Sequence, residues 1–298
     1  MSHTAFIGLG HMGGGMAANL VKAGVEVRAF DLSTLAVERA AAAGCARTVS
    51  AAEAARDAEV VITMLPAGAH VRSVYAEAVF PNAAKGALLI DCSTIDVETA
   101  RAVAAQAREL GFRFADAPVS GGTAGADAGT LTFMVGCAEA DLTAIEHVLT
   151  PMARTVIRAG EAGAGQAVKI CNNMLLGISM LGVSEALNLA EALGLDAERF
   201  FEIASKSSGQ CWSLTSYCPV PGLVEAAPSN RDFEGGFSTA MMLKDLKLAQ
   251  GAAAAAGAST PLGASAEALY ALFERQGYGD KDFSAVIKLL AGRLDDLS

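Results

Sequence analysis

The sequence predicts an α/β chain: a mostly parallel sheet covered by helices in the N-terminal part, then an all-helical part entered through one long helix. Three observations predict it. Short apolar runs rich in β-branched residues alternate with alanine-rich helical stretches through the first half. Strand signals stop after about Gly163. Apolar positions then recur at spacings of three and four over residues 165–193.

The expected strands are residues 4–7, 26–30, 60–64, 87–91, 112–116, 131–135 and 155–157, and the helices between them are 12–23, 35–43, 70–79, 97–110 and 139–149. Strand–helix–strand alternation implies parallel pairing with both faces of the sheet covered. Ser50 and Asp96 stand where helix N-caps are needed, and their side-chain oxygens can accept from the first free amides. In the long helix one apolar stripe runs Val168, Cys171, Leu175, Ile178, Gly182, Ala186, Leu189, Leu193, and a second runs Leu176, Met180, Val183, Leu187, Ala190. A helix apolar on two faces is expected to be buried on two sides. Gly194 suits its C-cap and Asp196 the next N-cap. Residues 218–236, with their prolines and glycines, read as a loop. Helices are expected at 239–256 and 261–276, the second with Pro261 in its first turn. The domain boundary is placed between residues 162 and 163.

Composition narrows the function classes. The 298 residues are 52% hydrophobic, enough for a sizeable core without disulfides or metals. The net charge of −10, with no basic run, disfavours nucleic acid and anionic membranes as partners. Any carboxylate site must therefore bring its own positive groups. The six cysteines form no CxxC pair and the four histidines are scattered, so no metal site is expected; reduced, mostly buried thiols in a cytoplasmic protein are. The first strand begins by Ala5 with no signal-like segment before it. The most apolar stretch, residues 174–183, is expected to fall short of the ~20 residues a membrane span needs.

The first strand runs into Gly8-Leu9-Gly10-His11-Met12-Gly13 and a helix follows. A bare GxGxxG is weak evidence in a chain with 31 glycines, but strand, glycines and helix together make a dinucleotide cradle. Gly8 permits the turn, Gly10 lets backbone approach a pyrophosphate, and Gly13 allows close helix–sheet packing. The helix N-terminus then offers free N–H groups to phosphate, so this is a Rossmann-type unit. Asp31 closes the second strand. Its carboxylate can take a ribose diol and repel a 2′-phosphate, and the following Leu32 offers no guanidinium, which favours NAD over NADP. Taken alone, Asp31 could equally be a solvated strand-end carboxylate.

Three further strand ends are candidates for ligand contact: Met64-Leu65-Pro66, Asp91-Cys92-Ser93-Thr94, and Asp116-Ala117-Pro118-Val119-Ser120-Gly121-Gly122. The last offers a hydroxyl beside backbone N–H groups, a nest for a carboxylate. Any one of them alone could be a polar turn. The long helix opens with Lys169 and Asn173 one turn apart on one face. On spacing alone, such a lysine is more often a snorkelling surface residue.

These segments, in this order, resemble the β-hydroxyacid dehydrogenase family over nearly the whole chain, and within it the 3-hydroxyisobutyrate branch. The nucleotide motif matches residues 8–19, the substrate motif 116–125 with 129–131, the catalytic motif 163–173, and a Lys-Asp-Leu element residues 242–246. The stretch 207–213, followed by Tyr217, Pro219, Pro221 and Gly222, is similar to the 3-hydroxyisobutyrate branch. The resemblance implies Lys169 as the catalytic residue. It implies Ser120, Gly121, Gly122 and Asn173 around the substrate carboxylate, and Trp212 as a wall near the substrate's methyl group. It places Leu65, Pro66, His70, Thr94 and Lys244 at the cofactor, with Gly8, Gly10, His11, Met12, Gly13 and Asp31. The implied activity is NAD-dependent oxidation of 3-hydroxyisobutyrate, as in valine degradation. The apolar long helix suggests pairing with another subunit, so a homodimer or homotetramer is expected. L-serine, 3-hydroxypropionate or a reducible semialdehyde are alternative substrates, and a non-catalytic NAD-binding module is the reading from another class. A lysine base must be neutral part of the time, so oxidation is expected to speed up as pH rises.

Overall fold

The computed structural model describes residues 3–297. The chain divides into two compact units, Met1–Lys169 and Ile170–Ser298.

In the first unit nine strands form one sheet: β1 (Thr4–Ile7), β2 (Val27–Phe30), β3 (Ala46–Arg47), β4 (Val60–Thr63), β5 (Leu88–Asp91), β6 (Arg113–Asp116), β7 (Val119–Ser120), β8 (Leu131–Cys137) and β9 (Ala153–Gly160). The order is β3-β2-β1-β4-β5-β6-β8-β7, with β9 also pairing β8. The pairs from β3 to β6 are parallel, as the alternation predicts. Strand β8 runs antiparallel to β6 and β7, and β9 runs parallel to β8, so the far edge is mixed. The helices are α1 (Gly13–Lys22), α2 (Thr34–Ala42), α3 (Ala51–Ala55), α4 (Gly68–Val74), α5 (Val97–Glu109), α6 (Gly122–Ala128) and α7 (Leu142–Leu149). Ser50 and Asp96 cap α3 and α5, accepting from the amides of Glu53 and Thr99. Apolar side chains bury both faces of the sheet, with Phe6, Leu20, Ile62 and Phe133 in one cluster and Ile7, Val61, Tyr75 and Leu89 in another.

Three short elements were not expected. Strand β3 has two exposed residues and no apolar signature. Strand β7 lies within the glycine-bearing strand end read as a carboxylate nest, and helix α6 starts at its last residue; there Gly121 and Gly122 both hold positive φ, at 135° and 64°. The helix expected at 70–79 begins earlier and ends in a π turn, Tyr75–Val79.

Helix α8 (Ala164–Ala192) spans the division between the units. In the second unit it is followed by α9 (Ala197–Ala204), α10 (Trp212–Thr215), α11 (Thr239–Ala256), α12 (Pro261–Phe273) and α13 (Val286–Leu290), with a single isolated bridge, Ser238–Asp282, as the β pairing among the described residues. Gly194 has φ 79° at the end of α8, and Asp196 caps α9 by accepting from the amides of Glu198 and Arg199. Met180, Val183, Leu187 and Ala190 of the second stripe are buried, most of them in the core with Met242, Leu246 and Tyr270. The first stripe is covered only in part: Ile178 packs against that core, while Leu175, Leu189 and Leu193 are exposed. The expectation of two-sided burial is corrected, because the helices of this unit cover only one side of α8. By length and composition alone α8 is long and apolar enough to cross a bilayer, as a core helix can also be. Its apolar residues are nonetheless accounted for in part by that core, and Asn173 and Ser184 are buried within it.

Candidate active site

The expected nucleotide residues lie at the C-terminal ends of β1, β2, β4 and β5, the edge where open parallel sheets place ligands. Gly8 has φ 98°, and a Cβ there would lie 2.2 Å from the Met64 carbonyl oxygen. A Cβ on Gly13 would lie 1.9 Å from the Gly8 carbonyl oxygen, so α1 can begin this close to β1 only with glycine. Nothing lies within 4 Å of a Cβ on Gly10, which leaves that side of the loop open, as a cradle for pyrophosphate requires. His11 is exposed and Met12 half-buried. Asp31 accepts from the Leu9 amide through Oδ2 (2.6 Å) and from the Ser33 amide through Oδ1 (2.7 Å). Its lone pairs are not exhausted by these two donors, so a ribose hydroxyl can still be accepted.

The next strand ends are tied to one another. Buried Asp91 accepts through Oδ1 from the hydroxyls of Thr63 (2.7 Å) and Ser93 (2.6 Å), and Ser93 Oγ accepts from the Leu65 amide (2.8 Å). That draws Leu65 against the loop carrying half-buried Thr94. Pro66 and His70 are exposed beyond it. Cys92 is wholly buried, and burial pushes its thiol well above the ordinary range, so it is no nucleophile. Four of the six cysteines are buried, all six are free thiols, and Cys171 is exposed.

Helix α8 is fastened to the same edge. Asp116, at the end of β6, accepts from the Gly163 amide through Oδ1 (2.6 Å) and from the Gln166 amide through Oδ2 (2.8 Å). One carboxylate thus satisfies two of the helix's orphan donors. The Gln166 side chain accepts from the Ile95 amide (3.0 Å) and donates to the Ser93 carbonyl (2.7 Å), gripping the backbone on both sides of Thr94. Lys169 follows within the same turn and is 7% exposed. It is a buried lysine, not the snorkelling surface residue that spacing alone favours. Ser120, Gly121 and Gly122 sit at the β7–α6 junction, past the strand that carries Asp116.

In the second unit, buried Asn173 donates from Nδ2 to Asp245 Oδ2 (2.5 Å), and its Oδ1 accepts from Asn172 (3.0 Å). Lys244 is half-buried, with Nζ 4.0 Å from Asp245 Oδ1. Trp212 is 51% exposed and stacks on Tyr217 at 4.9 Å between ring centroids. Tyr217 in turn donates to buried Asp282 (2.8 Å). Sequence reading named neither Gln166, Asp245 nor Asp282 as functional, and Asp116 only as a motif residue. The available signal was a carboxylate or amide on an otherwise apolar strand end or helix face.

Burial outweighs the backbone N–H groups that donate to Asp116 and raises its carboxyl from 3.8 to about 6. The folded protein therefore binds more protons here than the unfolded chain between about pH 4 and 6. This group's contribution to stability is complete at the acid end and is lost as pH rises through about 6, a change on the order of 3 kcal/mol. In Asp116→Asn, urea unfolding at a series of pH values should show a shallower fall in stability over that window. A slope equal to wild type would place the titration elsewhere.

A glycine-rich loop between β1 and α1 on a parallel sheet, with an acidic residue closing β2, has the form of a dinucleotide-binding unit. A family model described as the NAD binding domain of 6-phosphogluconate dehydrogenase matches residues 3–160, and one described as NAD-binding of NADP-dependent 3-hydroxyisobutyrate dehydrogenase matches residues 163–290. The NAD-dependent L-serine dehydrogenase of Pseudomonas aeruginosa is 49% identical over 97% of this chain and 98% of its own length. The probable 3-hydroxyisobutyrate dehydrogenase of Mycobacterium bovis is 50% identical over 99% of this chain and 100% of its own. A solved structure of Mycobacterium tuberculosis 3-hydroxyisobutyrate dehydrogenase with L-serine superposes with a TM-score of 0.94 at 51% identity, covering 97% of this chain and 99% of that one. The chain belongs to the β-hydroxyacid dehydrogenase family of NAD-binding oxidoreductases.

Proposed function

We propose that this protein oxidises 3-hydroxyisobutyrate to methylmalonate semialdehyde, with NAD as hydride acceptor and Lys169 as general base. The observation that carries the reading is the burial of Lys169 on a helix start fastened to the ends of β5 and β6, on the same C-terminal sheet edge as the glycine loop. When bound, the nicotinamide supplies the hydride acceptor. Ser120, Gly121, Gly122 and Asn173 hold the substrate carboxylate. Asn173 has one amide proton committed to Asp245, which fixes the side chain and leaves its second N–H to donate. Lys169 accepts the hydroxyl proton as the C–H bond breaks, and returns it in the reverse direction. Leu65, Pro66, His70, Thr94 and Lys244 border the cofactor, with His11 and Met12 in the cradle. Trp212 walls the substrate's methyl side. In this reading residues 1–162 bind the dinucleotide, and residues 163–298 bind substrate and pair subunits into a dimer or tetramer.

Asp31 supports NAD over NADP. Its carboxylate is already fixed by Leu9 and Ser33, and Leu32, 92% exposed, offers no cation to a 2′-phosphate. L-serine is the second reading, favoured by the P. aeruginosa relative and the serine-containing structure. Reduced-cofactor formation should be followed by absorbance with NAD or NADP against both 3-hydroxyisobutyrate enantiomers, L-serine and 3-hydroxypropionate. The expected outcome is a higher kcat/KM with NAD, and one 3-hydroxyisobutyrate enantiomer above the other acids. Serine in first place would replace the substrate assignment and keep the chemistry. No reduced cofactor with any acid would leave a binding module.

A further inference from the structure

The first turn of α8 is held at both ends of its polar side. Asp116 takes the amides of Gly163 and Gln166, and the Gln166 side chain closes on Ser93 and Ile95. Glycines pack this joint. A Cβ on Gly165 would lie 2.3 Å from the Met134 carbonyl oxygen, and one on Gly136 would lie 2.3 Å from Asp116 Oδ1. The joint therefore has no room to slide. Gln166 is wholly buried, yet every hydrogen bond its amide makes is to backbone of the loop around Thr94. A buried amide is costly to place, and an apolar residue could fill the volume. Its two bonds fix distance as well as occupancy: a carboxamide donates only from its NH2 end and accepts only at its oxygen end, so only one orientation satisfies Ser93 O and Ile95 N together. Gln166 and Lys169 are three residues apart and share a helix face.

We infer that Gln166, backed by Asp116, is a positioning residue that sets Lys169 at a fixed height above the Ser93–Ile95 loop. The inference rests on the reading of Lys169 as the base. Displacing a reacting group by about 1 Å can lower a rate by about 10²-fold, so loss of the clamp should act on turnover. Two variants separate positioning from bulk. Gln166→Met keeps volume and removes both hydrogen bonds. Gln166→Glu, when protonated, can still donate to Ser93 O and accept from Ile95 N; when ionised, it loses the donor and sets a charge against the Ser93 carbonyl.

For Gln166→Met we expect kcat at least tenfold lower, a larger primary deuterium isotope effect, and faster hydrogen exchange at the Ile95 amide in the cofactor-free protein. Cofactor affinity by calorimetry should stay within a few-fold. For Gln166→Glu, activity relative to wild type should be nearest to full at acid pH and fall as pH rises. Lys169→Ala is run in parallel. If that variant stays active, the base assignment fails and the clamp has no role in chemistry. If it is inactive while both Gln166 variants keep wild-type turnover, isotope effect and pH profile, the positioning inference is overturned and Gln166 serves folding alone. Should Gln166→Met not fold, the pH-dependent ratio of Gln166→Glu to wild type decides by itself.

Discussion

Lys169→Ala should lose about 10²–10⁴-fold in turnover, the range a positioned general base contributes, or about 3–5 kcal/mol of barrier. The fold should survive. Lys169 lies inside α8, where alanine is a favourable helix residue, and the helix start is fastened through Gly163 and Gln166. Cofactor affinity should therefore remain within a few-fold by calorimetry while the steady-state rate falls. Lys169→Arg sharpens the experiment. Arginine keeps the positive charge but does not give up its proton, so a base role predicts that it is as impaired as alanine. Substantial turnover in Lys169→Arg would mean that the side chain acts as a fixed cation. Wild-type turnover in Lys169→Ala would remove it from the chemistry altogether.

The second large effect divides the glycine loop into a structural and a ligand-facing residue. Gly13→Ala drives a methyl to 1.9 Å from the Gly8 carbonyl, and Gly8 cannot retreat because its own turn lies against the Met64 carbonyl. Overpacking of this kind costs about 1–3 kcal/mol or more, so the melting temperature should fall by several degrees and cofactor binding should weaken with it. Gly10→Ala meets nothing within 4 Å, and its φ is not in the left-handed region. It should melt with wild type yet bind NAD at least about tenfold more weakly, because the added methyl occupies the approach of the pyrophosphate. Undiminished NAD affinity in a folded Gly10→Ala would mean that this loop is not the cradle.

Much of the first unit was legible because its signals are local. The edges of β1, β2, β4 and β5 fall within a residue of the expected runs, since the buried positions of a parallel strand call for apolar residues and its ends do not. Caps at Ser50, Asp96 and Asp196 were readable because a cap is a relation over two or three residues. β7 and α6 were hidden because glycines at positive φ look like any turn in one dimension. The exposed stripe of α8 was misjudged because an apolar face shows that burial would be favourable, and not that this chain supplies the cover.

The sequence by itself determined the alternation of elements, the glycine loop with Asp31, and a lysine and an asparagine one turn apart on a long helix. Each follows from backbone preferences and periodicities acting over a few neighbouring residues. Only the tertiary structure decided that the carboxylate ending β6 caps α8, and that Gln166 grips both sides of Thr94. Those partners are distant in the chain. They meet because strand order places β5 and β6 side by side, and no local spacing encodes strand order.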